Sequence, residues 1–166
     1  MAEKQNLGCD GGDAVSALTY IKEKGLNKDS EYPYTSTKGQ CMADIRMTIT
    51  KIKSWEKITP FYSVEQKSEL EEIENAVLRG VVVATIDAYD LMFYKGGIFD
   101  AKCSADVNHL VVIVGFGETS EEDPEGPGIG FWIIKNSWGT DWGEEGYMRI
   151  RKGGDGHPHS GYCGLY

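Results

Sequence analysis

The chain has 166 residues, 40% of them hydrophobic and 26% charged, with a formal net charge of −9. That is an ordinary composition for one globular domain or two small lobes, and the acidic balance argues against nucleic acid and anionic membranes as partners. No apolar run approaches the ~20 residues of a membrane span, and Met1-Ala2-Glu3-Lys4-Gln5 lacks the apolar centre of a signal peptide, so the start reads as that of a processed fragment.

The chain opens on Gly8-Cys9-Asp10-Gly11-Gly12, a backbone that turns sharply or admits close approach. Asp13 is placed to cap a helix carrying Ala14, Leu18 and Ile21 at helical spacing, and Lys24-Gly25 stops it. A loop holding Tyr32-Pro33-Tyr34 runs to Cys41, and residues 47–58 alternate loosely enough for a strand that Pro60 closes. A second helix is expected over 63–79. Ser63 and Gln66 resemble a capping box, and Leu70, Ile73 and Val77 form its apolar stripe. Its glutamates read as a solvated face.

Strands are expected at 81–86, after the Gly96-Gly97 turn, at 107–114, at 131–134 and at 147–151. Between them, 118–130 carries five acidic residues, two prolines and three glycines, and reads as a long exposed hairpin loop. Residues 153–161 form a glycine-rich loop with His157 and His159, which lack the tight Cys spacing a zinc site would need. A helix-rich first half and a strand-rich second half make the class α+β with two lobes, divided as 1–60 and 61–166.

The most informative stretch is FWIIKNSWGTDWGEEGY at 131–147, a buried strand that ends on Asn136 and is followed by Trp138. A lone Asn is ordinarily a turn former, and a lone histidine in an apolar strand, as His109 is, is ordinarily a satisfied core residue. Together they suggest more. An imidazole acting as a base is held in one tautomer by a third group, an amide oxygen serves, and an indole beside the pair keeps the bond dry. What such a pair lacks is a nucleophile.

GCDGG (8–12), EYPY (31–34), YKGGIF (94–99), VNHLVVIVGFG (107–117), IIKNSWGTDWGEEGYMRI (133–150) and CGLY (163–166) together resemble the papain-like cysteine peptidases, on the cathepsin L and plant papain branch. The resemblance implies an incomplete helical lobe beside an antiparallel β-barrel-like lobe. It also implies peptide-bond hydrolysis through a thiol acyl-enzyme, a peptide or protein substrate, and no metal or other cofactor. His109 falls at the family's catalytic histidine, Asn136 at the asparagine that orients it, and Trp138 at the shielding indole. Gly11 and Gly12 match the backbone that pairs with extended substrate. Asp13, Ala14, Thr85, Val107 and Leu110 fall where the family lines its main specificity pocket, and Ala14, Val107 and Leu110 favour an apolar side chain two residues before the scissile bond. Asn108 stands where papain itself has an aspartate.

The departure is at the start. The family's nucleophilic cysteine and oxyanion-hole glutamine lie ahead of the GCDGG stretch, where this sequence has seven residues and neither group. The end at Tyr166 likewise falls slightly short of the family's. Connectivity of the four cysteines is open on spacing alone, Cys9–Cys41 with Cys103–Cys163 included. The resemblance implies a Cys103–Cys163 bridge, with Cys9 and Cys41 paired to a segment outside these residues. The expectations are therefore a peptidase whose nucleophile lies elsewhere, the isolated chain being inactive, or a non-catalytic homologue that binds a peptide or inhibitor or docks in a larger assembly. Disulfide usage points to a lysosomal, vacuolar or secreted setting.

Overall fold

A computed structural model describes residues 6–44, 46–47, 49–58, 66–104, 106–153 and 161–165, with the backbone alone at 66–69. The chain divides into two compact units, Met1–Lys57 and Ile58–Tyr166. His157, His159, Ser63 and Tyr166 lie outside the described residues.

In the first unit, helix α1 spans Ala14–Glu23. Asp13 caps it from an extended conformation, its carboxylate accepting from the Ser16 N–H at 2.9 Å and the Ser16 hydroxyl at 3.0 Å. At the other end Lys51 Nζ donates to the Glu23 carbonyl at 2.7 Å, a cation on the negative pole of the helix. Gly25 then turns at φ +86°, where a β-carbon would run into the Ile49 side chain, so only glycine fits. The strand expected over 47–58 shrinks to β2, Ile49–Thr50, paired antiparallel with β1, Leu26–Asn27. No residue of α1 is fully buried; Ala14, Leu18 and Ile21 are all half-buried within this chain.

The second unit is built on five strands: β3 (Val82–Ile86), β4 (Ile98–Phe99), β5 (His109–Glu118), β6 (Gly130–Lys135) and β7 (Tyr147–Arg151), in the sheet order β3-β5-β6-β7-β4. Three neighbouring pairs are antiparallel, but β4 lies parallel to β7. The expected antiparallel barrel-like lobe is thus corrected to an open sheet, with β3 and β4 as its two edges. Two-residue β4 is fixed to β7 by the register Ile98↔Arg149, and among the described residues β3 and β4 do not pair. Residues 118–130 join β5 to β6 as the expected hairpin loop, closed at its base by buried Thr119, whose N–H donates to the Ile129 carbonyl at 3.0 Å.

The core follows from strand alternation. Ile86, Ile113, Ile134, Met148 and Ile150 point to one face and are at most 1% exposed. A bulge between Ile113 and Gly115 shifts the β5 alternation by one residue, so that Phe116, paired with Trp132, packs against the core. Helix α2, Gln66–Arg79, lays Ile73 into this cluster with Leu70 and Val77 packed beside it. Its Glu71 and Glu72 are exposed, but Glu74 pairs with Lys152, whose ammonium also lies 4.1 Å from the Phe116 ring centroid and 4.5 Å from that of Trp132.

Between β4 and β7, Glu144 accepts three bonds from the Arg149 guanidinium and one from the Gly97 N–H at 3.0 Å. Arg149 holds the Glu144 carboxyl below its ordinary value of 4.5, burial opposing and Gly97 assisting. A depressed carboxylate contributes stability that is present above its unfolded-state value and is lost as pH falls through the lower folded one. We expect Glu144→Gln to cost about 1.5–3 kcal/mol at neutral pH. Urea unfolding of both proteins at pH 7 and pH 3 should show the gap closing in acid; an undiminished gap at pH 3 means that the carboxylate's charge is not the source.

Candidate active site

Register delivers the site. The last β5–β6 pair is Val112↔Lys135, so Asn136 emerges beside the start of β5, whose first residue, His109, pairs with Ile86 of β3. The sequence reading placed His109 inside a strand running over 107–114; the strand begins at His109 instead, leaving Val107 and Asn108 just ahead of it.

His109 Nε2 and Asn136 Oδ1 are 2.9 Å apart. The Ser137 backbone N–H, which can only donate, meets the same oxygen at 2.8 Å. That fixes the amide orientation, because the flipped amide would set two donors face to face. It also fixes the ring: Nε2 carries the proton and Nδ1 keeps its lone pair. The Asn136 backbone N–H is held by the Gly146 carbonyl at 3.0 Å, while its Nδ2 is buried with no partner among the described residues.

Trp138 covers the pair. Its ring stacks on His109 with centroids 5.1 Å apart and planes 30° apart, and it remains 38% exposed. Behind it stands Trp142, edge-on at 5.2 Å and 83°. Trp142 is nearly buried and its indole N–H donates to the Leu91 carbonyl at 3.0 Å, which locks the rotamer that supports Trp138. Tyr94 packs on Trp142 at 5.5 Å; burial pushes its phenol up to about 12, so it stays protonated and donates to the Gly97 carbonyl at 2.7 Å. The backbone reaches this cluster through Gly143, at φ +58°, where a β-carbon would sit 2.5 Å from the Tyr147 carbonyl.

Around the start of β5 the structure gathers four more of the expected residues. Thr85 is the register partner of Leu110, and Val107, Asn108 and Leu110 are exposed. Gly11 and Gly12, both exposed, and the helix cap Asp13 with Ala14 belong to the first unit. Cys103 and Cys163 are joined in a disulfide, and Cys9 and Cys41 are exposed free thiols.

Sequence reasoning passed over Asp87. It is 7% exposed and its carboxylate accepts four hydrogen bonds: from the Ser104 N–H (2.9 Å) and hydroxyl (2.8 Å), the Tyr89 N–H (3.1 Å) and Asn108 Nδ2 (3.1 Å). Burial pushes the carboxyl up, but Ser104, Tyr89 and Asn108 together hold it below its ordinary value. The signal was a charged residue directly after the apolar run at 81–86, a place a carboxylate keeps only if partnered. Beside it lies a groove of about 450 Å³ lined by Asp87, Tyr89, Lys102, Ser104, Asp106 and Asn108. Among the described residues no group of three or more His, Cys, Asp or Glu is placed to hold a metal, and no helix is long and apolar enough to cross a membrane.

The sequence model described as "Papain family cysteine protease" matches residues 2–165. A cathepsin L-like proteinase of Fasciola hepatica is 39% identical over 151 residues, covering 89% of this chain and 42% of that protein. Vignain of Vigna mungo is 35% identical over 171 residues, with 98% and 42% covered. The solved bromelain protease of Ananas comosus, in complex with the E64 inhibitor, superposes with a TM-score of 0.78 at 30% identity over 98% of this chain and 69% of that one. The chain therefore spans about two fifths of the length of these curated relatives.

Proposed function

The chain belongs to the papain family of cysteine proteases, and from that premise we propose that it carries the base and its orienting group for peptide-bond hydrolysis through a thiol acyl-enzyme. The observation that carries the reading is the 2.9 Å contact between His109 Nε2 and Asn136 Oδ1 under the Trp138 ring.

In this mechanism Nδ1, with its free lone pair, takes the proton of the nucleophilic thiol. The resulting imidazolium is stabilised by the Asn136 oxygen, and the thiolate attacks the peptide carbonyl. His109 then returns the proton to the leaving amine, and deprotonates the water that cleaves the thioester. Trp138 keeps bulk water off the His109–Asn136 bond, which strengthens it. Gly11 and Gly12 would pair with the extended substrate. By the same resemblance Asp13 and Ala14 of the first unit would contact substrate, and in the second unit Thr85, Val107, Asn108 and Leu110 would line a binding pocket, with an apolar side chain two residues before the scissile bond preferred. No metal or other cofactor takes part.

The thiol itself is proposed to come from polypeptide outside these 166 residues. Cys103 and Cys163 are committed to their disulfide, and Cys9 and Cys41 match family positions that pair with a preceding segment, a complementing N-terminal chain included. The disulfide supports an oxidising setting, lysosomal, vacuolar or secreted. Intact mass of the natural protein before and after reduction would reveal any peptide held through Cys9 and Cys41.

The test is hydrolysis of a fluorogenic peptide with Phe or Leu two residues before the scissile bond. We expect turnover by the full-length protein, abolished by a thiol-directed epoxide, and none by the 166-residue chain alone. Epoxide-sensitive turnover by the chain alone would place the nucleophile within it. Peptide binding by the full-length protein without turnover would establish the alternative, a non-catalytic peptide- or inhibitor-binding homologue.

A further inference from the structure

We propose that Asp87 is a positioning residue for His109, acting through Asn108; the catalytic consequence rests on the reading of His109 as the base, while the geometric one does not.

Asn108 immediately precedes His109 and is tied to three consecutive residues at the end of β3. Its backbone N–H donates to the Ile86 carbonyl at 3.1 Å, its Nδ2 to the Asp87 carboxylate at 3.1 Å, and its Oδ1 accepts from the Ala88 N–H at 3.0 Å. This clamp sits where the Ile86↔His109 pair ends the β3–β5 ladder, so it sets where the His109 Cα enters the site. A strand end otherwise frays, and a ring whose backbone moves loses the 2.9 Å contact to Asn136.

Asp87 is in turn anchored from two further sides. Its own N–H donates to the Cys163 carbonyl at 2.8 Å, and Ser104, next to Cys103, spends both donors on its carboxylate. The Cys103–Cys163 disulfide therefore holds both supports of Asp87. The geometry requires a carboxylate. One oxygen serves Ser104 and the other serves Tyr89 and Asn108, so four donors need two acceptor oxygens. An amide offers one, and its NH₂ would repel either the Ser104 pair or the Tyr89 and Asn108 pair.

The test is ¹⁵N NMR of the His109 imidazole in the full-length protein with its thiol blocked by a thiol-directed epoxide, at a pH where the ring is neutral, together with peptide kinetics on the unblocked protein. In the unaltered protein His109 should be held with its proton on Nε2. Asp87→Asn should turn this into a mixture of tautomers and lower kcat tenfold or more, with KM changed less than twofold. With the Ser104 donors kept on the amide oxygen, the exchange Asp87→Asn with Asn108→Asp restores the donor–acceptor link between the two positions and an acceptor for the Ala88 N–H, and leaves only the Tyr89 N–H opposed by the new NH₂. It should recover the single tautomer and part of the kcat lost in Asp87→Asn, which a general loss of stability would not allow. Should Asp87→Asn not fold, Asn108→Ala cuts the same link and should give the same mixture. A single unaltered His109 tautomer in these variants would overturn the proposal, and so would a fall in kcat without any change at the ring. If the unaltered protein hydrolyses nothing, the proposed function fails, and the NMR result still decides the role of Asp87.

Discussion

His109→Ala in the full-length protein is expected to lower kcat/KM by about 10²–10⁴-fold, the range general acid–base catalysis supplies. The reason is that Nδ1 is the proton acceptor the geometry leaves open once Nε2 is committed to Asn136 at 2.9 Å. His109 is only half-buried, so the urea midpoint should move little. Asn136→Ala keeps the base but frees the ring to flip and change tautomer, and a misplaced group of this kind costs about 10²-fold. The two losses should not add, because the amide acts only through the imidazole. Peptide kinetics on the two single variants and the double variant decide the matter. A double variant slower than His109→Ala by the full Asn136→Ala factor would give Asn136 a role independent of the ring. Activity within twofold for His109→Ala would remove it from the chemistry.

Replacing both Cys103 and Cys163 by alanine is expected to destabilise the protein by about 4 kcal/mol, the chain-entropy value for a loop of 60 residues. Few single contacts in the unit approach this figure, because the bridge restricts the unfolded chain over more than half of the unit's length. A second consequence is local. Cys163 is fully buried and its carbonyl accepts the Asp87 N–H, while Ser104 beside Cys103 holds the Asp87 carboxylate. Cutting the bridge should therefore disturb the start of β5 as well as the global stability. Urea unfolding with and without reductant measures the first effect. A loss below 1 kcal/mol would show that the unfolded chain is already compact across this loop.

Much of the chain could be read locally. Asp13 as cap, Lys24-Gly25 as stop and the Ala14, Leu18, Ile21 spacing are helix signals that need no partner, and α1 spans Ala14–Glu23 accordingly. The apolar runs likewise mark the larger strands of the second unit. His109, Asn136 and Trp138 stood out as residue types a base, its orienting amide and a shielding indole would need, and the resemblance of the runs at 107–117 and 133–150 then gave them roles. Residues 47–58, by contrast, misled. A loose alternation is satisfied by any half-buried segment, and only Ile49–Thr50 finds a strand to pair with.

By itself, then, the sequence determined where α1 and the longer strands of the second unit lie, and which residue types are available for base, orienting group and lid. These depend on neighbours a few positions away. The tertiary structure decided which strands pair, that β4 runs parallel to β7 and the sheet stays open, and that the start of β5 meets the end of β6 so that His109 and Asn136 touch. It alone brought Asp87, Ser104 and Asn108 together from positions up to 21 residues apart. Partner choice depends on closing loops of tens of residues and satisfying every buried donor at once, and no local pattern encodes that sum.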